Sequence, residues 1–181
     1  MESNRLIELI EEETINVIDF LITDLKRELI DQGHILTGTL RDSIEMLPII
    51  KNKDITEAFV VLERYYEALD TGVPSTSIRF SRGSGKGHSR YIEALIRFWE
   101  LKAGLTGDNA VSAAFALATK HKKEGMPTQN SWRYSSNGRR KEFFSHTINN
   151  SRHIDTFEDR LQIISEEIAE RIFDKFQINI L

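Results

Sequence analysis

The stretch LRDSIEMLPIIKNKDITEAFVVL, residues 40–62, decides the fold class. Its first half is a mixed run carrying Leu40, Ser43-Ile44, Met46-Leu47 and Ile49-Ile50, and its second half, Ile55 to Leu62, is rich in β-formers. The polar turn Lys51-Asn52-Lys53-Asp54 separates them. Two apolar runs joined by such a turn make an antiparallel hairpin. Pro48 has no amide hydrogen to give a ladder, which places the first strand at a sheet edge or a bulge.

On both sides of the hairpin the apolar spacing changes to three- and four-residue steps. Leu6, Ile7, Ile10, Val17, Ile18, Leu21, Leu25 and Leu29 predict an amphipathic helix of about 25–28 residues, capped by Ser3 and closed by Gly33. After the hairpin, Tyr65 to Leu69 predicts one helical turn ending at Gly72, and Pro74 to Ser89 reads as irregular. Residues 90–103 form a helix on the stripe Ile92, Leu95, Ile96, Trp99. Gly104 and Gly107 end it, and Asp108 is expected to cap a second, alanine-rich helix from Asn109 to Glu124. Residues 125–141 read as loop, and Phe143-Phe144 begin a short extended or helical piece. After Asp155-Thr156, the residues Phe157, Leu161, Ile164, Ile168, Ile172 and Phe176 predict a final helix of about 20 residues. The expected architecture is α+β: long N- and C-terminal amphipathic helices and a central helical pair packed on a small antiparallel sheet. One domain spans 1–181, with 74–90 and 125–141 as extended loops or docking arms.

The 181 residues include no cysteine, so disulfides and thiolate metal sites are excluded. Forty per cent hydrophobic residues suffice for a core. No apolar run reaches the roughly 18 residues of a membrane span, and Met1-Glu2-Ser3-Asn4 is unlike a signal peptide, so a protein made and used in solution, with no membrane partner, is expected. The net charge of −4 is unevenly spread. Residues 1–30 carry three basic and eight acidic side chains, 79–141 carry thirteen and four, and 155–181 carry three and seven. Acidic ends and a basic middle suit head-to-tail contact between identical neighbours. The same pattern also arises when helix ends collect acids and loops collect basic residues.

Familiar chemistries fail on spacing. The segment Arg82-Gly83-Ser84-Gly85-Lys86-Gly87-His88 has Phe80 where a phosphate-binding P-loop needs its first glycine, and His88 where a dinucleotide fingerprint needs its third. Histidines 34, 88, 121, 146 and 153 include no i,i+4 pair, and no serine sits in a Gly-x-Ser-x-Gly elbow. No catalytic residue, cofactor or metal is predicted. What remains is Arg79, Arg82, Lys86, Arg90, Lys120, Lys122, Lys123, Trp132, Arg133, Tyr134, Arg139, Arg140 and Lys141. Aromatic and cationic groups interleaved in this way serve single-strand nucleic-acid binders and protein interfaces alike. The acidic balance of the whole chain favours the interface.

The order of elements resembles the phage head–tail joining proteins, the neck or tail-completion family. Thr37-Gly38-Thr39-Leu40-Arg41-Asp42-Ser43-Ile44 matches that family's Thr-Gly-x-Leu-Arg-x-Ser-Ile segment. Tyr65 or Tyr66, Leu69-Asp70 and Gly72 match its Tyr-x-x-x-Leu-Asp/Glu-x-Gly turn, and Ala113 to Pro127 its alanine-rich helix with a basic Gly-Met-Pro end. The likeness covers roughly residues 1–130. Thr128 to Ile154 and the C-terminal helix fit it less well. Thr37, Gly38, Asp70 and Gly72 read as structural corners. The resemblance implies a virion protein packed as a homo-oligomeric ring around the DNA channel, between portal, neck or tail proteins and with transient DNA passage. The basic middle would then pair with the next subunit's acidic helices or line the bore. The runner-up is a nucleic-acid-binding regulator using the basic middle, and a weaker third option is a hydrolase with a dispersed site. The apolar end Ile178-Asn179-Ile180-Leu181 also suggests a covering partner.

Overall fold

The computed structural model describes residues 2–52, 55–81 and 89–178. Seven helices and four short strands are present among them: α1 Glu2–Asp31, α2 Thr39–Asp42, β1 Glu45–Met46, β2 Ile50–Asn52, β3 Ile55–Glu57, β4 Val60–Val61, α3 Tyr66–Thr71, α4 Arg90–Ala103, α5 Gly107–Glu124, α6 Phe143–Asn149 and α7 Arg152–Ile178. Single 3-10 turns lie at Ser75–Ser77 and Ser131–Tyr134. The class is α+β, mostly helical, with long helices at both ends.

The hairpin forms with an interruption at the proline. β1 pairs β4 and β2 pairs β3, both antiparallel. Met46 is opposite Val60 and Ile50 opposite Glu57, so Leu47, Pro48 and Ile49 on one strand face only Ala58 and Phe59 on the other. That extra residue is a bulge carrying the proline, where no ladder hydrogen bond is asked of it.

Leu40 does not belong to the strand. Gly38 adopts φ +79° and starts the turn of α2, which puts Leu40 and Ile44 on one side, both buried. α1 includes Ser3 rather than being capped by it. α5 begins at Gly107, with Thr106 at the cap position, leaving Asp108 in the first turn, where its charge favours the helix dipole. α7 begins at Arg152, before Asp155-Thr156, because only Asn150 and Ser151 separate it from α6. α4 keeps its predicted bounds, with the Ser89 hydroxyl accepting from the Ile92 amide and Gly104 closing it at φ +63°.

Two apolar clusters result. Leu25 and Leu29 of α1 meet Leu40, Ile44 and Phe143, with Val60, Leu62, Tyr66, Leu69 and Phe144 against them. Ile92 and Leu95 of α4 meet Ala114 and Ala118 of α5, whose small side chains allow close approach, with Phe80, Trp99 and Phe115 alongside. A backbone bridge joins the two halves: the Val73 amide donates to Met126 O at 2.7 Å and the Met126 amide to Val73 O at 2.8 Å. α7 lies along α1, held by Arg160–Glu13 at 2.6 Å and by the His153 ring stacked on Phe20 at 4.4 Å.

Asp70 supplies a cap to another helix. Its Oδ1 accepts from the amides of Phe144 at 2.8 Å and Ser145 at 3.1 Å, at the start of α6, whose own cap residue Glu142 offers no side-chain bond. Asp70→Ala is expected to lower stability by about 1–2 kcal/mol, as cap losses do, with Asp70→Asn restoring most of it. Equal stability of wild type and Asp70→Ala in urea unfolding would show that water replaces the cap.

Candidate interaction surface

The basic segment is divided by the fold into two groups. Arg90 starts α4, Lys120, Lys122 and Lys123 lie near the end of α5, and Arg79 lies on the segment before α4; the two helix ends meet where the Tyr91 hydroxyl lies 2.7 Å from His121 Nδ1. Burial lowers the proton affinity of His121 and raises the Tyr91 pKa. Lys122 Nζ donates to Ile78 O at 2.8 Å. Arg79 and Arg90 are exposed and make no ion pair among the described residues. Arg82 and Lys86, with the rest of the glycine loop, lie outside the described residues, as do Asn179 to Leu181.

The second group, Trp132 to Lys141, wraps the C-terminal end of α1. A helix leaves its last carbonyls without internal donors, and here each one from Glu28 to Gln32 is met. Gln32, His34 and Gly33 amides serve Glu28, Leu29 and Ile30, a closure that needs Gly33 at φ +67°. The Ser136 amide donates to Asp31 O at 2.7 Å, and Arg140 Nη1 to Gln32 O. A Cβ on Gly33 would collide with the Tyr134 carbonyl oxygen, so only glycine lets the collar sit this close.

Beneath the collar lies a polar network. Gln32 is fully buried, its Nε2 donating to Glu28 Oε1 at 2.9 Å and Lys141 O at 2.8 Å. Its Oε1 can only accept, so the His34 Nε2 at 3.2 Å carries the proton. Glu28 Oε1 also takes Asn137 Nδ2 at 2.9 Å and Arg139 Nη2 at 3.1 Å. Burial raises the Glu28 pKa, but the hydrogen bonds from Gln32, Arg139 and Asn137 and the Arg139 charge together hold it below the usual range. Burial, with Arg140 alongside, pushes His34 down to about 4. Arg139 and Arg140 are therefore engaged inside the chain, with the acidic helix of their own molecule.

Trp132, Arg133 and Tyr134 stand outside this network. Trp132 is 52% and Tyr134 71% exposed, and the Arg133 guanidinium lies 5.6 Å from the Trp132 ring centroid. A shallow cavity of about 290 Å³ runs beside them, lined by Pro127, Gln129, Trp132, Arg139, Arg140 and Lys141 among others. At the two corners, Thr37 Oγ1 lies 2.8 Å from Thr39 Oγ1, and a Cβ at Gly72 would crowd Met126 O at 2.7 Å.

The sequence reading missed the outer face of the hairpin. Leu47, Ile50, Phe59 and Val61 all point there, each at least 39% exposed, while Met46, Ile49 and Val60 turn inward. The signal was present as an apolar run too continuous for a one-faced strand, but only the register across Pro48 shows which residues share a side.

Among the described residues no group of three His, Asp or Glu could hold a metal ion, and no helix is long and apolar enough to cross a membrane. No family model, curated protein or solved structure matches the chain.

Proposed function

We propose that this protein is a structural component of a tailed-phage virion, a subunit of a ring in the neck or tail around the DNA channel. The observation that carries this reading is the meeting of two segments that resemble the head–tail joining family. The Tyr65–Gly72 turn and the Gly125-Met126-Pro127 stretch are about fifty residues apart in sequence, yet they join through the Val73–Met126 bridge. The residues of the resemblance act as joints and caps, and the exposed groups are aromatic, aliphatic and cationic in the manner of interfaces.

A ring of this kind is expected to appear as a concentration-dependent rise in mass on analytical ultracentrifugation, persisting at moderate salt because apolar contacts are weakly screened. The exposed Arg79, Arg90 and Lys123 favour one second reading, a nucleic-acid-binding regulator. A monomer that shifts short DNA, with binding falling steeply as salt rises, would replace the ring reading with that one.

A further inference from the structure

We infer that the outer face of the β-hairpin is a docking surface for a second copy of this chain, and that it receives the Trp132–Arg133–Tyr134 turn of that copy. This rests on the ring reading above and names its contact surfaces.

Single exposed apolar residues are ordinary on a protein surface, whereas a contiguous apolar face with a polar rim marks an interaction site. The bulge at Pro48 aligns Leu47 and Ile50 with Phe59 and Val61 on one side of a hairpin whose other side contributes Val60 to the core. Their exposures are 42, 49, 45 and 39%. The charged groups sharing that side are acidic: Glu45, opposite Val61, and Glu57, opposite Ile50, both exposed.

The chain carries the chemical complement elsewhere. Arg133 has Trp132 as its contact and no carboxylate among the described residues. Flanked by two exposed aromatic rings, it presents the three residue types that dominate interface energetics. Apolar face meets aromatic rings, and Glu45 and Glu57 meet Arg133. An acidic rim disfavours anionic lipid and nucleic-acid phosphate as occupants of the hairpin face. Each patch is exposed within one molecule, so the match is made between molecules. Different patches on the two partners give a head-to-tail contact, which closes into a ring or runs on as a filament.

The test uses two full-length variants, Phe59→Asp and the double variant Trp132→Ala/Arg133→Glu, followed by sedimentation velocity. Wild type is expected to assemble, and each variant alone to associate at least about 30-fold more weakly, as loss of an interface hot spot implies. Mixed together, the two variants retain one good hairpin face and one good turn between them, so they form dimers and nothing larger. As a second measurement, this cysteine-free chain allows Phe59→Cys and Trp132→Cys to be mixed under oxidation. A crossed disulfide is expected in the mixture and no disulfide-linked dimer in either variant alone.

Variants that assemble like wild type would overturn the docking surfaces and leave the ring reading standing. Loss of assembly in Phe59→Asp with no rescue in the mixture and a Phe59→Cys homodimer would mean hairpin meets hairpin, which also overturns the inference. Retained assembly with lost binding to a single-stranded oligonucleotide in the Trp132 variant would assign the turn to nucleic acid instead. A wild type that stays monomeric at every concentration would remove both the inference and the ring reading.

Discussion

Glu28→Ala is expected to destabilise the protein by about 1–3 kcal/mol in urea unfolding, the range for leaving a buried donor without its acceptor, the ion pair itself adding little because Arg139 can still reach water. One carboxylate oxygen of Glu28 serves Gln32, Asn137 and Arg139 together. Its side chain is only 12% exposed against 40% for Arg139, so solvent can rescue the arginine but not the buried amide of Gln32. With the anchor gone, the segment Ser136–Lys141 should loosen from the end of α1 and become open to proteolysis after Arg139, Arg140 or Lys141. Glu28→Gln keeps an acceptor oxygen and removes the charge, and should lose only about 1 kcal/mol, the worth of the charge assistance. If Glu28→Ala unfolds at the wild-type midpoint and the collar resists protease, the network does not hold the collar in place.

Acid should open the same joint. His34 takes its proton at about 4 when folded, against 6.5 for the ordinary side chain, because burial and the Arg140 charge oppose a second cation. Below pH 6.5 the unfolded chain therefore binds a proton that the folded chain refuses. Stability attributable to His34 is complete above about pH 6.5, declines as the pH falls towards 4, and levels off below that. At roughly 1.4 kcal/mol per pH unit the loss is at most about 3.5 kcal/mol. His121, its proton affinity also lowered by burial, contributes in the same direction, so the measurement is a difference. Unfolding free energies of wild type and His34→Gln, followed from pH 7 to pH 4, should not run parallel: wild type loses more stability on acidification than the variant. Parallel curves would mean that His34 titrates as it would in water.

Glu28, Gln32 and His34 carry no local sequence signature of these roles. Gln32 was legible only as the residue before a helix-closing glycine, and Glu28 as one more acid on an amphipathic helix. Their roles depend on Asn137, Arg139 and Lys141, more than a hundred residues away. No local pattern announces such a meeting, because a buried amide is stable only when the distant partners that satisfy it are in place. The hairpin face was hidden for a related reason. One extra residue at Pro48 shifts the alternation between strands, and the side on which Ile50 falls is settled by pairing with Glu57.

What the sequence determined by itself is what depends on neighbouring residues. The helical spans of α1, α4 and α5 follow from apolar spacing, with Gly33 and Gly104 at positive φ as their closures, since backbone angle is a property of one residue and its neighbours. The hairpin and its flaw at Pro48 follow from β-formers and a missing amide hydrogen. Tertiary structure alone decided how the basic segment is used. Arg139 and Arg140 fold back onto the end of α1, where the unpaired carbonyls of the helix and the Glu28 carboxylate receive them. Arg133 remains outside with its two aromatic neighbours. Charge is written in the sequence, but whether a charge is neutralised within the molecule or left for a partner depends on which distant groups the fold brings within hydrogen-bonding reach.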